Sequence, residues 1–232
     1  MTDNVNDPSR TLVMACATVI EEMLPMLPPG MDHQIFDFGL HVNPEKLRRT
    51  LQEALDAVDS RYDTIILGYG LCSLAIVGLK AAHARLVVPR VDDCISIFLG
   101  SHAAYRQQAR AEPGTYYLTK GWVEVGDTPF SEYDRMVQRY GLERAQRILR
   151  IMLVNYKRLA LINTGLYEMD RFRDYARRVA ERFGLRYEEI EGSTALVRKM
   201  IFGPWDDEFV VVPPGEAIRY EQFTRVEERH EL

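Results

Sequence analysis

The sequence predicts an α/β fold: a mostly parallel sheet with helices on both faces, Rossmann-like in character. Short apolar runs alternate with helical stripes along nearly the whole chain. The run Thr64-Ile65-Ile66-Leu67 is apolar throughout, the signature of a buried core strand. The later strands end in polar turns, Asn163-Thr164-Gly165 and Glu191-Gly192-Ser193, and each of these leads on to another helix.

Taken in order, Thr11 to Ala15 forms a strand that ends at Cys16. Thr18 is the expected N-cap of a helix that stops before Pro25. Pro28-Pro29-Gly30 is a loop, and His33 to Phe38 alternates like a second strand. Asn43 caps a helix with Pro44 at its first position, where the missing N–H costs nothing. Leu47, Leu51, Leu55 and Val58 form the apolar stripe of that helix. After the third strand and its glycine loop, Leu74 to Ala84 is expected to be a short helix. Arg85 to Pro89 is the fourth strand, followed by one helix from Ile95 to around Arg110. Thr115 to Thr119 is a strand. Tyr133 to Lys157 is helical with a break near Gly141, and Leu159 to Ile162 is a strand. Asp170 to Phe183 is a helix that Gly184 ends. Leu185 to Ile190, Leu196 to Phe202 and Phe209 to Val212 complete the pattern as strand, helix and strand.

Residues 1–10 are expected to form a disordered tail, 11–215 a single α/β domain, and 216–232 a charged tail that frays. Two lobes with a boundary near 113–127, at Pro113-Gly114 or Gly126-Asp127, fit the pattern as well as one continuous sheet does. The chain has 232 residues, enough to bury a sizeable core. Its hydrophobic (47%) and charged (27%) fractions are those of a soluble globular protein. The net charge of -5 lacks the basic excess of a nucleic-acid surface. The arginines between Arg135 and Arg158 are read as a solvated helix face rather than a phosphate site. No apolar run approaches the ~20 residues of a membrane span, and the first ten residues lack a signal-peptide core. A cytoplasmic protein with no nucleic-acid or membrane partner is therefore expected, its three cysteines reduced.

The thiols fall in one pattern. Cys16 follows strand one, His41 strand two, Cys72 strand three and Cys94 strand four. Ligands of open α/β sheets bind beyond the carboxyl ends of the strands. Three cysteines and a histidine make a tetrahedral zinc set. Three cysteines alone suit zinc with an open position or an iron–sulfur cluster. Each cysteine taken singly reads better as a small core hydrophobe, and His41 taken singly as a capping or surface histidine; it is their co-location that raises the shared site. Gly68 and Gly70 are expected to bend the loop freely and, with Ser73, to offer N–H groups to an anion. Asp92 and Asp93 precede Cys94 as helix caps, and Asp93 is also a substrate-binding candidate. Lys120 and Trp122, after strand five, are candidates for an anionic or flat ligand. No Walker A loop, HExxH or Gly-x-Ser-x-Gly occurs, so hydrolase chemistry has no motif here.

The stretches LHVNPEKLRRTLQEALD, TIILGYGLCSLAIVGL, LVVPRVDDCISIFLGS, PGTYYLTKGW and EGSTALVRKM with WDDEFVVVPPGE resemble the DUF1638 family, from about Leu12 to Gly215. The resemblance maps the family's cysteine-bearing loops onto Cys72 and Cys94, and its leucine-histidine element onto Leu40-His41. It implies an association with corrinoid-dependent methyltransferase systems. The chain lacks the D-x-H-x-x-G signature of corrinoid-binding domains. The expectation is a zinc or iron–sulfur protein in one-carbon or methyl transfer, partnered by a small-molecule substrate or a methyltransferase or corrinoid protein. The alternative is a non-catalytic accessory module whose rim cysteines line a pocket.

Overall fold

The structure is a computed structural model that describes residues 7–72, 74–125 and 128–224. Two sheets divide the strands. The first joins β1 (Thr11–Cys16), β2 (Asp32–Phe36), β3 (Thr64–Gly68), β4 (Arg85–Pro89) and β8 (Phe209–Val212) in the order β2-β1-β3-β4-β8. All its pairs are parallel except β4 with β8. The second is wholly parallel and joins β5 (Thr115–Leu118), β6 (Arg158–Asn163) and β7 (Arg186–Glu191) in the order β5-β6-β7. The α/β class expected from the alternation is thus present, in two lobes. The second sheet begins at Thr115, just after Pro113-Gly114; the other candidate boundary, Gly126-Asp127, lies outside the described residues.

Sequence dictates the helices locally. α1 (Ala17–Met23) has Cys16 at its N-cap, two residues before the expected Thr18. α2 (Pro44–Asp56) is capped by the Asn43 side chain on Lys46 N–H, and it buries Leu47, Leu51 and Leu55. Each of those leucines contributes roughly 1.5–3 kcal/mol by leaving water. The helix expected from Ile95 to Arg110 is instead two, α3 (Cys94–Leu99) and α4 (His102–Ala111). Gly100 divides them at φ +85°, a left-handed turn that only glycine adopts cheaply. Ser101 then caps α4 on Ala104 N–H. α5 (Lys120–Glu124) starts at Thr119. α6 (Pro129–Tyr140) opens with a Thr128–Ser131 capping box. α7 (Leu142–Met152) follows after Gly141, the break anticipated there. α8 (Asp170–Phe183) ends at left-handed Gly184, and α9 (Ala195–Phe202) leads back to β8 in the first sheet.

Leu74 to Ala84 is not a helix: its described residues are turns and a single bridge from Lys80 to Ala217. Leu74 and Gly78 both have positive φ, which breaks any helical run. The segment bonds instead to the chain's end, Gly78 N–H to Ile218 C=O and Ile218 N–H to Leu79 C=O. Ile218 and Phe223 are buried, so this stretch of the expected fraying tail packs on the body. Near the other end, Pro8 to Arg10 forms a 3-10 turn capped by Asp7.

One apolar cluster runs through the first sheet and takes in Tyr117, Ala160, Ile162 and Ile190 of the second. The lobes meet face to face at their strand ends. A Cβ on Gly121 of α5 would come within 3.0 Å of the Thr18 carbonyl oxygen of α1, so glycine is what permits that approach. Thr164 Oγ1 donates to buried Glu22 at 2.7 Å, and Ser193 N–H to the Phe98 carbonyl at 2.9 Å.

Candidate functional site

Strand order locates the site. The chain moves from β1 outward to β2, then returns to the other side of β1 for β3. Beyond the carboxyl ends of β1 and β3 lies the switch point, the crevice where open α/β sheets bind ligands. Ala15 opposes Gly68 in the parallel register, so Cys16 and Tyr69 are the next residues along at that crevice. A Cβ on Gly68 would lie 2.5 Å from the Ala15 Cβ, which only glycine avoids.

The Cys72 loop is fastened to the Cys94 loop by backbone. Leu71 N–H donates to Val91 C=O at 2.9 Å and Cys72 N–H to Asp92 C=O at 3.0 Å. Gly70 packs on the same strand of loop, where a Cβ would meet Asp92 and Asp93 backbone atoms at 2.8–2.9 Å. The two glycines were expected to supply flexibility. Neither has positive φ; both permit close approach, and the left-handed residues are Cys72 (φ 46°) and Leu74 (φ 67°). A non-glycine residue held in that region stores about 1–3 kcal/mol of strain, which the backbone bonds from Leu71 and Cys72 to Val91 and Asp92 help to hold. Ser73 lies outside the described residues.

The other thiols stand at helix starts. Cys16 Sγ is 3.3 Å from Thr18 Oγ1, and Cys94 opens α3 behind the Asp93 cap, whose carboxylate accepts from Ile95 N–H at 2.9 Å. Burial raises the Cys72 thiol to about 12, and the Cys16 and Asp93 charges push the same way against the Gly70 N–H. Cys94 is pushed well above the usual thiol range by burial, then by Cys72, Asp93 and Cys16. Burial also raises Cys16, opposed by the Thr18 hydroxyl and the Thr18 and Val19 N–H groups. Burial is the chief cause in all three, and it keeps all three thiols neutral at pH 7. Among the described residues, no three His, Cys, Asp or Glu side chains stand in a metal-ligating arrangement.

His41 sits in a 3-10 turn, Phe38–Val42, between Phe38 and Tyr69, with ring centroids at 5.3 and 5.9 Å. Its Nδ1 is 3.0 Å from the Phe38 carbonyl. A carbonyl only accepts, so Nδ1 carries the hydrogen. Burial holds the ring's pKa below its ordinary value against that hydrogen bond. Neutral His41 therefore keeps a bare lone pair on Nε2. Tyr69 itself is fully buried, and its hydroxyl has no hydrogen-bond partner among the described residues; Ser96 Oγ, two residues after Cys94 in α3, is the same. Sequence reasoning passed over both, although Tyr69 stands between the two glycines it did single out.

The outlying candidates divide. Asp93 belongs to the site, its carboxyl raised chiefly by burial against the N–H groups of Ile95 and Ser96. Lys120 is engaged in the lobe contact: it pairs with Glu21 at 2.5 Å and Glu124 at 2.7 Å and lies 4.5 Å above the Tyr167 ring. Trp122 packs against Phe38 at 6.3 Å, close to the His41 stack.

The family model described as "Protein of unknown function (DUF1638)" matches residues 35–201, a span that contains His41, Cys72 and Cys94 and the loops that hold them. The chain belongs to the DUF1638 family. Cys16 stands ahead of the matched DUF1638 span, although β1 places it beside Tyr69. No curated protein and no solved structure matches this DUF1638 chain.

Proposed function

We propose that this DUF1638 chain is a cytoplasmic protein that binds zinc through Cys16, Cys72 and Cys94, with His41 as fourth ligand or proton carrier, in one-carbon or methyl transfer beside corrinoid-dependent methyltransferases. What supports the proposal is that Cys16 ends β1 while Cys72 and Cys94 follow β3 and β4, three neighbouring strands, and that backbone hydrogen bonds fasten the Cys72 loop to the Cys94 loop. Ligating histidines generally donate their other ring N–H to a carbonyl, as His41 does to Phe38, which leaves Nε2 for a metal or a proton. The thiols would ligate zinc as thiolates, so loading would release their protons to solvent. Bound zinc would ionise an acceptor thiol and make it nucleophilic at neutral pH. An iron–sulfur cluster on the same three cysteines is the variant of this proposal.

A second reading is a non-catalytic accessory module that binds a ligand or partner, supported by the packed rings of Phe38, His41, Tyr69 and Trp122 beside the rim cysteines. Elemental analysis with a visible spectrum, on anaerobically purified wild type beside Cys72→Ser, separates the readings. About one zinc per chain, lost in the variant, supports the zinc site. Iron with sulfide and a brown colour assigns the cluster. No metal in either sample overturns the proposal in favour of the accessory module.

A further inference from the structure

The α6–α7 hairpin is an insertion between α5 and β6, and the thiol site does not use it. Its charge is unlike that of the rest of the chain. Residues 135–157 hold six basic side chains and one acidic, a net of +5. The whole chain carries -5, so the remainder carries -10. Among the described residues Arg144, Arg147 and Arg150 form no ion pair.

Beside this charge lies exposed apolar surface. Ile151 is 65% exposed, Met152 48% and Val154 71%, all at the end of α7. Single exposed apolar residues need no explanation, but a contiguous group on a rim of charge marks an interaction surface. Of these three, Val154, two residues past α7, borders a concavity. A groove of about 650 Å³ runs between α7 and the end of α8, floored by Leu149, Leu153, Phe183 and Leu185. Arg150 and Arg182 line it; Arg182 is braced over the Tyr133 ring at 4.7 Å and by Asp134 at 2.9 Å.

We propose that this groove docks an amphipathic helix of a partner protein, its apolar face on the floor and an acidic flank against the arginines. A groove with apolar floor and charged walls is the geometry of helix-in-groove recognition, and carboxylates meet guanidinium forks in paired hydrogen bonds. A second copy packed symmetrically would set arginine against arginine, so the face is not self-complementary. A bilayer would rest on a convex face and leave the groove unfilled.

The test uses the full chain and two synthetic peptides of about 18 residues, each a helix with leucine on one face. One carries glutamate on the other face, its control lysine. The glutamate peptide is expected to bind, followed by fluorescence anisotropy, and to weaken at least about tenfold between about 50 and 300 mM salt. Arg150→Glu and Val154→Asp each lower its affinity by about tenfold or more; both side chains are exposed, so the thermal melt stays at the wild-type value. Equal binding of both peptides, or variants that bind like wild type, overturns the proposal. So does a dimer by light scattering that Val154→Asp dissolves, or tighter binding of phosphatidylglycerol vesicles or RNA than of the glutamate peptide.

Discussion

A side-chain carbon on Gly70 would stand 2.8 Å from the backbone nitrogen of Asp93. The obstructing atoms belong to the Asp92–Asp93 backbone, whose carbonyl holds Cys72 N–H. Gly70→Ala must therefore part the two thiol-bearing loops. The expected cost is about 2–3 kcal/mol in urea unfolding, accompanied, on the zinc proposal, by loss of the metal the wild type would hold. A variant with wild-type stability and metal content would show that the loops are not held by this contact.

Asp93 caps α3 through one carboxylate oxygen. Asp93→Asn keeps the acceptor, whereas Asp93→Ala leaves Ile95 N–H without it. Denaturant unfolding should show the alanine variant about 1 kcal/mol less stable and the asparagine variant near wild type. Equal losses in both would mean that the charge, not the cap, is what the site needs.

Glu22 is 2% exposed, and burial raises its pKa against the Thr164 hydrogen bond and the Lys120 charge. An acid whose folded pKa is raised supports the fold below its unfolded pKa, about 4.3, and that support is lost as pH rises through the folded value. Glu22→Gln keeps an acceptor for Thr164 and sheds the charge. Its melting temperature should exceed that of wild type at pH 7, and the gain should shrink towards pH 4. A gain independent of pH would remove Glu22 ionisation as its cause.

Arg158 is buried at 3% exposure, with its fork on Thr115 (2.8 Å), Gln108 (3.0 Å) and Glu188 (3.2 Å). Lysine cannot reproduce three directions from one planar group. Arg158→Lys should lower stability by roughly 2–4 kcal/mol in denaturant melts, and on the zinc proposal it should leave the metal content of the protein at the wild-type value. Simultaneous loss of metal would tie the second sheet's anchor to the first sheet's crevice.

Local pattern made the α/β class and most elements legible. Asn43-Pro44 and Gly184 bound their helices where they were expected, because caps act within a few residues. The placing of Cys72 and Cys94 after β3 and β4 was likewise readable from strand boundaries, whereas Cys16, expected after the first strand, is the last residue of β1. Long-range pairing was not. The last strand, β8, returns across the whole second sheet to pair with β4, and Leu74 to Ala84 lost its helix to Ile218, far along the chain. Tyr69 gave no periodic signal, since one buried aromatic after a strand looks like core. The roles of Gly68 and Gly70 were misjudged because composition shows a missing Cβ, not what stands where it would have been.

The antiparallel strand β8 has an effect on how the chain is made. Its partner, β4, emerges from the ribosome long before it, and the whole second sheet is synthesised in between. Until β8 arrives, β4 presents an open edge of Leu86, Val87 and Val88 to any passing strand. Closing that edge spans a long loop, so folding ends slowly and late. A nascent chain cut short before Phe209 would keep both thiol-bearing loops and still leave β4 free to pair with its neighbours, a route to aggregation.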